Sequence, residues 1–313
     1  MSISRDGNTY TKTDTSHPHA ITVEYLGLKW LAQAQASGGA HVVPVVDSPT
    51  GSKRPPTSSL TTVAISRGAC TPQAAEQFGR SLACTHAAGA DYLGQGPLGW
   101  DKSGWMGMAP LSYLTAAQAP TSWGEFYATE RLLPYLPRCV DNGSISQAGA
   151  STVHRLCERL RDGDFDADQP ALVVAQAASR QAQATSPTPA VAARLHGDLW
   201  SGNVLWSARS SLDWGCQAAG TGRPGGELAD QVGVLIDPAA QGGHAETDLA
   251  TLGVFGQRHW DLIYRGYQQV SSLAAGWEER VSLHQLHILI VHAYLFAGGY
   301  GHETVSVCRK YVA

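Results

Sequence analysis

The sequence predicts an α+β fold in two parts, a small strand-rich part with one helix and a larger, mainly helical part. Two observations support this prediction. Within residues 1–68, short segments rich in β-branched residues surround a single helical segment. Within residues 69–313, helical periodicity dominates, although two apolar strand-like segments interrupt it. We therefore expect two domains, 1–68 and 69–313, that meet near Gly68.

The first part is predicted to contain three strands and one helix. Residues 8–13 alternate in character and are rich in Thr, as expected for a short strand. Residues 19–36 carry apolar side chains at near-helical spacing, and two glycines follow them. Residues 42–46 and 60–66 are the remaining predicted strands. Arg67-Gly68 ends the last of them.

The second part is predicted to be mainly helical. A Thr-Pro pair opens a helix over residues 71–88, since Thr can cap a helix and Pro suits its first turn. Residues 122–142 and 150–162 predict two more helices, and three further helical segments follow from about residue 247 to the end. The Gly-rich stretch 215–226 is predicted to be a surface hairpin.

Composition excludes several classes of protein. The 313 residues are 43% hydrophobic and 15% charged, which suits a chain with a buried core. The net charge of −4 offers no basic excess for nucleic acid or an anionic membrane. Six scattered cysteines without a Cys-x-x-Cys pair indicate reduced thiols. The longest apolar run, residues 286–296, is shorter than the about 20 residues of a membrane helix. We expect a cytoplasmic monomer that binds neither nucleic acid nor membranes.

The segment LHGDLWSGN, residues 195–203, carries the strongest chemical signal. Asp198 and Asn203 lie five positions apart between two apolar segments. Phosphoryl transfer requires such a pair, because a carboxylate accepts the proton of the attacking hydroxyl and an amide oxygen binds Mg²⁺ on the phosphates. Downstream, Asp237 ends an apolar strand-like segment and is suited to the same metal.

Two charged residues near the start of the chain complete the pattern. Lys12 lies on the first predicted strand, and Glu24 lies on the first predicted helix. A strand lysine that reaches phosphate oxygens, held by a helix glutamate, is the other half of a kinase site. The order Lys, Glu, hinge, Asp, Asn and Asp is the order that a two-lobed kinase requires. The sequence has no GxxxxGK[ST] motif, which argues against a P-loop enzyme.

The stretch HGDLWSGN, residues 196–203, resembles the signature of the fructosamine kinase family, within the aminoglycoside-phosphotransferase-like kinases. The segment EYLGLKWL, residues 24–31, is similar to the family's first helix. WGEFY and the following ERL, within residues 123–132, resemble a family helix that contains Trp and Arg. IDPA at residues 236–239 and GHAETDLA at residues 243–250 resemble a family block that ends in Asp-Leu-Ala. The resemblance covers most of the chain.

The resemblance implies a two-lobed protein-kinase-like fold that uses ATP and Mg²⁺. The implied reaction phosphorylates a hydroxyl of a small sugar-amine adduct, of the fructosamine or ribulosamine type. In that reaction Asp198 would be the catalytic base, and Asn203 and Asp237 would be the Mg²⁺ ligands. Lys12 and Glu24 would be the pair that anchors the phosphates.

The resemblance also suggests where the adenine and the substrate lie. Backbone groups of four hinge residues would contact adenine, namely Ala64, Ile65, Ser66 and Arg67. Trp200 is either a packing residue or a wall of the substrate site. His196 is expected to bond nearby backbone, and Glu246 and Asp248 are expected to be loop and helix-cap residues.

The sequence departs from the family in two places, and these leave alternatives open. Only 11 residues precede Lys12, where the family has a helix and a strand pair with a phosphate-covering turn. Because strands average about 5–6 residues, we expect a small N-lobe that lacks most of the first strand pair. Residues 104–111 lack the Gln and Asn that the family has in its acceptor region. The alternatives are an aminoglycoside or other small-molecule phosphotransferase, and a catalytically impaired nucleotide-binding protein with a kinase fold.

Overall fold

The computed structural model describes residues 2–15, 17–46, 58–182, 190–212 and 228–312. The predicted hairpin at 215–226 lies outside these residues. The strands are β1 (Ser2–Asp6), β2 (Thr9–Thr13), β3 (His41–Val42), β4 (Ser59–Val63), β5 (Gly104–Met106), β6 (Ala109–Leu111), β7 (Ala193–Leu195), β8 (Val204–Ala208), β9 (Gln231–Leu235) and β10 (Gln241–Gly243). The helices are α1 (Pro18–Ala32), α2 (Pro72–Ala87), α3 (Trp123–Phe126), α4 (Leu136–Asp141), α5 (Gln147–Arg161), α6 (Ala171–Gln181), α7 (Ala245–Val254), α8 (Trp260–Val270), α9 (Trp277–His284), α10 (Leu286–Phe296) and α11 (Gly299–Val312).

The N-terminal sheet has three antiparallel strands in the order β1-β2-β4. One strand, β1, therefore precedes the lysine-bearing strand β2, and a tight turn through Gly7, at φ +52°, joins the two. Lys12 lies opposite Ile3 on one side and Leu60 on the other. Because side chains alternate along a strand, Tyr10 shares the face of Lys12. This face borders a large cleft.

Helix α1 packs one face against the core through side chains spaced three or four residues apart. Its buried residues include Ile21, Tyr25, Leu28 and Leu31. The helix ends at Ala32, and a short 3-10 segment then reaches Gly38, which adopts φ +86°. The helix predicted over residues 19–36 is confirmed up to Ala32, and its last four residues belong to the 3-10 segment.

Three apolar clusters lie among the described residues of the larger part, and two of them are large. Helix α2 packs on α8 and on β9, with Phe78 and Leu82 buried between them, and this cluster continues into α1. The hydroxyl of Thr71 caps α2 by accepting a hydrogen bond from the amide of Ala74 at 3.2 Å. The second cluster joins α5, α10 and α11, and Leu289 is one of its buried members. Among the described helices none is long and apolar enough to cross a bilayer.

Two helix predictions are corrected. The helix expected over residues 122–142 is divided in two: α3 continues as a π-helical segment, Tyr127–Leu132, and a turn at residues 133–135 separates it from α4. Pro134 lies in this turn and cannot donate the backbone hydrogen bond that would continue the helix. The last part of the chain contains five helices, α7–α11, rather than three. Gly256 follows α7 and Gly298 follows α10, both at positive φ, and Gly276, also at positive φ, directly precedes α9.

Four short strands bring the polar motifs together. Strand β7 pairs with β10, and β8 pairs with β9, both antiparallel. The loop of residues 196–203 connects β7 to β8, and the turn of residues 236–240 connects β9 to β10. Both connections therefore leave the paired strands at the same end and lie side by side. Strand β3 adds parallel to β9, which attaches the segment after α1 to this unit.

Candidate active site

The loop of residues 196–203 is held in place by Asp248. This carboxylate is 1% exposed, and it accepts hydrogen bonds from the backbone amides of His196 at 2.7 Å and Gly197 at 3.0 Å. His86 adds a third contact at 3.2 Å. From its sequence, Asp248 is expected to be a loop or helix-cap residue, and its contacts with the loop of residues 196–203 were not predicted. Its position in the first turn of α7 is the one signal in the sequence, and that signal is shared by many capping residues.

Gly197 has a backbone conformation that non-glycine residues rarely adopt. Its φ is +83°, and a Cβ atom there would lie 2.0 Å from the carbonyl oxygen of Ala239. The glycine thus lets the loop approach the turn of residues 236–240 directly. This close approach sets the distance between the two polar motifs.

His196 connects the loop of residues 196–203 to the end of β9. Its Nδ1 accepts from the amide of Asp198 at 3.3 Å, so Nε2 carries the hydrogen and donates to the carbonyl of Ile236 at 2.8 Å. Burial lowers the pKa of His196. The neutral imidazole therefore links the two loops, and the predicted backbone-bonding role is confirmed.

Asp198 and Asn203 are direct neighbours. The amide nitrogen of Asn203 donates to the Oδ2 atom of Asp198 at 3.0 Å and to its carbonyl oxygen at 2.8 Å. Burial raises the pKa of Asp198 to about 7, although the hydrogen bond from Asn203 acts in the opposite direction. The carboxyl therefore titrates near neutrality. Because Asn203 uses its nitrogen as the donor, its amide oxygen is left for a cation.

Lys12 joins the two parts of the molecule. Its ammonium lies 2.6 Å from Glu24 of α1 and 3.1 Å from Asp237. Burial lowers the pKa of Lys12, but the two carboxylates raise it more, and the net pKa lies above its ordinary value. For Asp237 the balance is reversed: burial raises its pKa, and Lys12 lowers it more. Both groups are therefore charged at neutral pH.

Asp237 has a strained backbone conformation and an exposed side chain. Its φ of 51° lies in the left-handed region, which non-glycine residues adopt at a cost of about 1–3 kcal/mol. Its side chain is 45% exposed, although its Oδ1 atom binds Lys12. The strained turn thus presents a carboxylate to the cleft while the neighbouring backbone stays buried.

A cleft of about 540 Å³ lies between the N-terminal sheet and the loop of residues 196–203. It is lined by Lys12, Glu24 and Asp237 at one end and by apolar side chains along its length. The hinge residues Ile65, Ser66 and Arg67 line it as well. Ala64 is not among the lining residues, and its amide donates to the carbonyl of Asn8 at 2.7 Å. That amide is therefore engaged by the β1–β2 turn.

Trp200 lies over its own loop. Its ring would be 2.2 Å from a Cβ atom at Gly202, and its edge meets Phe255 with a centroid distance of 5.8 Å. The residue is nevertheless 36% exposed. Trp200 therefore packs on one side and leaves part of its surface to solvent.

The residues around the cleft suit a nucleotide and a divalent cation. Asp237 and Asn203 offer a carboxylate and an amide oxygen, the hard oxygen ligands that Mg²⁺ prefers. Lys12 offers a cation to phosphate oxygens. The apolar lining next to the hinge backbone suits a flat aromatic base.

A second polar cluster is not suited to a metal. His244, Glu246 and His284 lie together in the interior, with their potential ligand atoms within 4.8 Å of one another. Arg280 occupies both carboxylate oxygens of Glu246, at 2.7 and 3.0 Å. The ring nitrogens of both histidines also have protein partners, including Thr247 for His284. This cluster forms a buried ion pair that supports the start of α7.

The fold is that of the protein-kinase-like small-molecule phosphotransferases. The structure of the aminoglycoside phosphotransferase APH(2")-IIa in complex with gentamicin aligns over 97% of this chain and 83% of that one, with a TM-score of 0.50 and 10% identity. A candidate fructosamine-3-kinase from Thermobifida fusca aligns over 97% of this chain and 85% of its own, with a TM-score of 0.69 and 31% identity. The family model for fructosamine kinase matches residues 4–313. The chain belongs to the fructosamine kinase family.

Curated relatives agree with this assignment. The probable ketoamine kinase slr1563 of Synechocystis is 28% identical over 234 residues, which is 75% of this chain. The matched region spans 61% of the length of that relative, and 53% of the length of a probable ketoamine kinase from Lactiplantibacillus plantarum. The chain therefore spans somewhat more than half the length of these relatives.

Proposed function

We propose that this chain transfers the γ-phosphoryl group of ATP to a hydroxyl of a small sugar-amine adduct, of the fructosamine or ribulosamine type. The observation that carries the proposal is the arrangement at one end of the cleft. Lys12 and Asp237 line the cleft there, and a continuous chain of contacts runs from them to Asn203 and Asp198, although the four residues come from three separate segments. Family membership supports the substrate class.

In this proposal the N-lobe comprises residues 1–68 and the C-lobe residues 69–313, with the nucleotide between them. The backbone of residues 65–67 contacts adenine, since these residues line the cleft at the hinge. Lys12 binds phosphate oxygens, and Glu24 keeps its ammonium in place at 2.6 Å. A lysine held in this way loses little entropy when the phosphates arrive.

Asn203 and Asp237 would hold Mg²⁺. When bound, the ion supplies positive charge that stabilises the transferred phosphoryl group. Asp237 already presents its carboxylate to the cleft, and Lys12 keeps that carboxylate ionised. The contact of 3.0 Å between Asn203 and Asp198 supports this proposal, in which the metal ligand and the base are neighbours.

Asp198 accepts the proton of the attacking hydroxyl or orients that hydroxyl. Its pKa, raised to about 7 by burial, lies close to the pH at which a general base is most effective. The hydrogen bond from Asn203 fixes the direction of the carboxylate. The exposed surface of Trp200, two residues further on, is suited to contact the acceptor.

Product analysis tests the acceptor class. The purified chain is incubated with Mg-ATP and one of three acceptors, fructosyl-lysine, ribulosyl-lysine or kanamycin, and the products are read by phosphorus NMR. We expect a new phosphomonoester with a ketoamine and none with kanamycin. Phosphorylation of kanamycin alone would indicate an aminoglycoside phosphotransferase. Tight binding of Mg-ATP without any product would indicate a nucleotide-binding protein that lacks transfer activity.

A further inference from the structure

Arg194 is a buried arginine on β7, two residues before His196. Its side chain donates four hydrogen bonds within the described residues, and all four go to neutral oxygens. The acceptors are the carbonyls of Trp30 at 2.8 Å, Gly89 at 3.1 Å and Ala88 at 3.5 Å, and the side-chain oxygen of Gln33 at 3.4 Å. The guanidinium also lies over the Trp30 ring, 4.9 Å from its centre.

These acceptors lie at the ends of two different helices. Trp30 is in the last turn of α1, and Ala88 and Gly89 follow the last residue of α2. The last carbonyls of a helix lack the usual partner four residues later, and the Trp30 carbonyl accepts from the amide of Gln33 as well as from Arg194. A cation at this end also interacts favourably with the helix dipole. Burial lowers the pKa of Arg194 to about 10, so the side chain is still a cation at neutral pH. Arg194 therefore caps both helices at once.

Of the two helices, α1 is the one that contacts the residues around the cleft. Helix α1 carries Glu24, which holds Lys12 at 2.6 Å. It also lies against the turn after Asp237, because a Cβ atom at Gly27 would meet Pro238 at 3.3 Å and Ala240 at 3.2 Å. The same rigid helix thus connects Arg194, at the start of the loop of residues 196–203, to the lysine that faces the cleft.

We propose that Arg194 is a positioning residue that fixes α1 against the strand leading into the loop of residues 196–203, and thereby keeps Glu24 and Lys12 aligned with Asp237. This inference deepens the proposed function and rests on it for the role of Lys12. It predicts that the Lys12–Glu24 pair stays assembled without a nucleotide. Arg194 does not touch the nucleotide in this proposal and acts through α1.

Arg180 provides a matched control. It is an arginine on α6 that donates to the carbonyls of Ala87 at 3.2 Å and Ala88 at 3.4 Å. It therefore caps the same end of α2, whereas its capping contacts do not extend to α1. A comparison of Arg194→Met with Arg180→Met separates the effect on α1 from the effect on α2.

The first readout is hydrogen exchange of the α1 amides, which needs no nucleotide. We expect Arg194→Met to speed exchange in α1 by about tenfold, as the loss of charged hydrogen bonds at its end implies, and Arg180→Met to leave α1 unchanged. Arg194→Lys keeps the charge but can reach fewer carbonyls, and it serves if the Met variant does not fold. Equal exchange in α1 for the Arg194 and Arg180 variants would overturn the proposal.

The second readout is the Kd for Mg-ATP in a double-mutant cycle. We expect Arg194→Met to weaken binding by about tenfold in the wild-type background and to have little further effect in Glu24→Gln, because both act through the same lysine. Additive losses would show a merely structural role and overturn the proposal. A wild-type chain that fails to bind Mg-ATP would count against the proposed function, and the exchange comparison would then decide the role of Arg194.

Discussion

The ammonium of Lys12 lies 3.1 Å from the carboxylate of Asp237, although 225 residues separate the two along the chain. This contact closes one end of the cleft and joins the N-terminal sheet to the turn after β9. It places a cation directly beside a carboxylate, the two groups to which the proposed function assigns phosphate oxygens and a metal ion.

Loss of Lys12 should impair the use of ATP without unfolding the chain. We expect Lys12→Met to lower kcat/KM for ATP by about 100-fold or more, because a positioned charge at the phosphates is worth a few kcal/mol in a water-poor site. Steady-state kinetics with varied Mg-ATP measures the loss. Lys29→Met, on the exposed side of α1, is the control and should behave as wild type. A similar loss in both variants would contradict the role of Lys12.

Titration of Asp198 should make stability depend on pH. Burial raises its folded-state pKa to about 7, whereas an unfolded Asp titrates near about 3.9. The folded chain therefore binds more protons in this window, and the free energy of unfolding falls as pH rises from about 4 to about 7. Asp198→Asn removes this titration. We expect the variant to have a higher Tm than wild type at about pH 8, with a smaller difference at about pH 5.

The pH dependence can be separated from a general effect of charge removal. Asp261 lies in the first turn of α8 and is exposed, so Asp261→Asn removes one carboxylate without removing a buried one. Its Tm difference from wild type should change little over the same pH range. An Asp198→Asn difference that is equally large at both ends of the range would contradict the raised pKa.

Removal of Asp248 should disorder the loop of residues 196–203. We expect Asp248→Ala to lower the free energy of unfolding by about 2–4 kcal/mol, since two buried amides lose their acceptor. It should also lower kcat, since the same amides set the direction of Asp198. Denaturant unfolding and single-turnover rates measure the two effects. Normal turnover in a folded Asp248→Ala chain would show that the loop does not depend on this carboxylate.

The close approach at Gly197 can be tested against a second glycine with the same backbone angle. Gly197 and Gly99 have φ of +83° and +84°, but a Cβ atom would clash with Ala239 only at Gly197 and meets nothing within 4 Å at Gly99. We expect Gly99→Ala to cost about 1–2 kcal/mol for its positive φ, and Gly197→Ala to cost clearly more. Equal losses in denaturant unfolding would mean that the close approach contributes nothing.

The proximity of the short polar motifs was predictable from sequence because their residues are close along the chain or follow neighbouring elements. Asp198 and Asn203 belong to one loop, and the structure brings their side chains into contact at 3.0 Å. Lys12, Glu24 and Asp237 were identified from the order of elements along the chain, and the structure brings all three together.

Other features were not predictable because they depend on distant contacts. Asp248 lies 52 residues from His196, and nothing local distinguishes it from a helix-cap residue. The amide of Ala64, one of the four residues predicted to contact adenine, donates to the carbonyl of Asn8, a pairing that only the sheet register determines. Arg194 gave no sequence signal, since its acceptors are backbone carbonyls of two remote helices.

The central claim is that Asp198 serves phosphoryl transfer to a ketoamine. The most direct measurement is ADP release from Mg-ATP, with and without fructosyl-lysine, for wild type and for Asp198→Asn. We expect fructosyl-lysine to stimulate release by wild type, and Asp198→Asn to bind Mg-ATP normally but to lose nearly all of the stimulated release. Near-normal stimulated release by the Asn variant would contradict the claim.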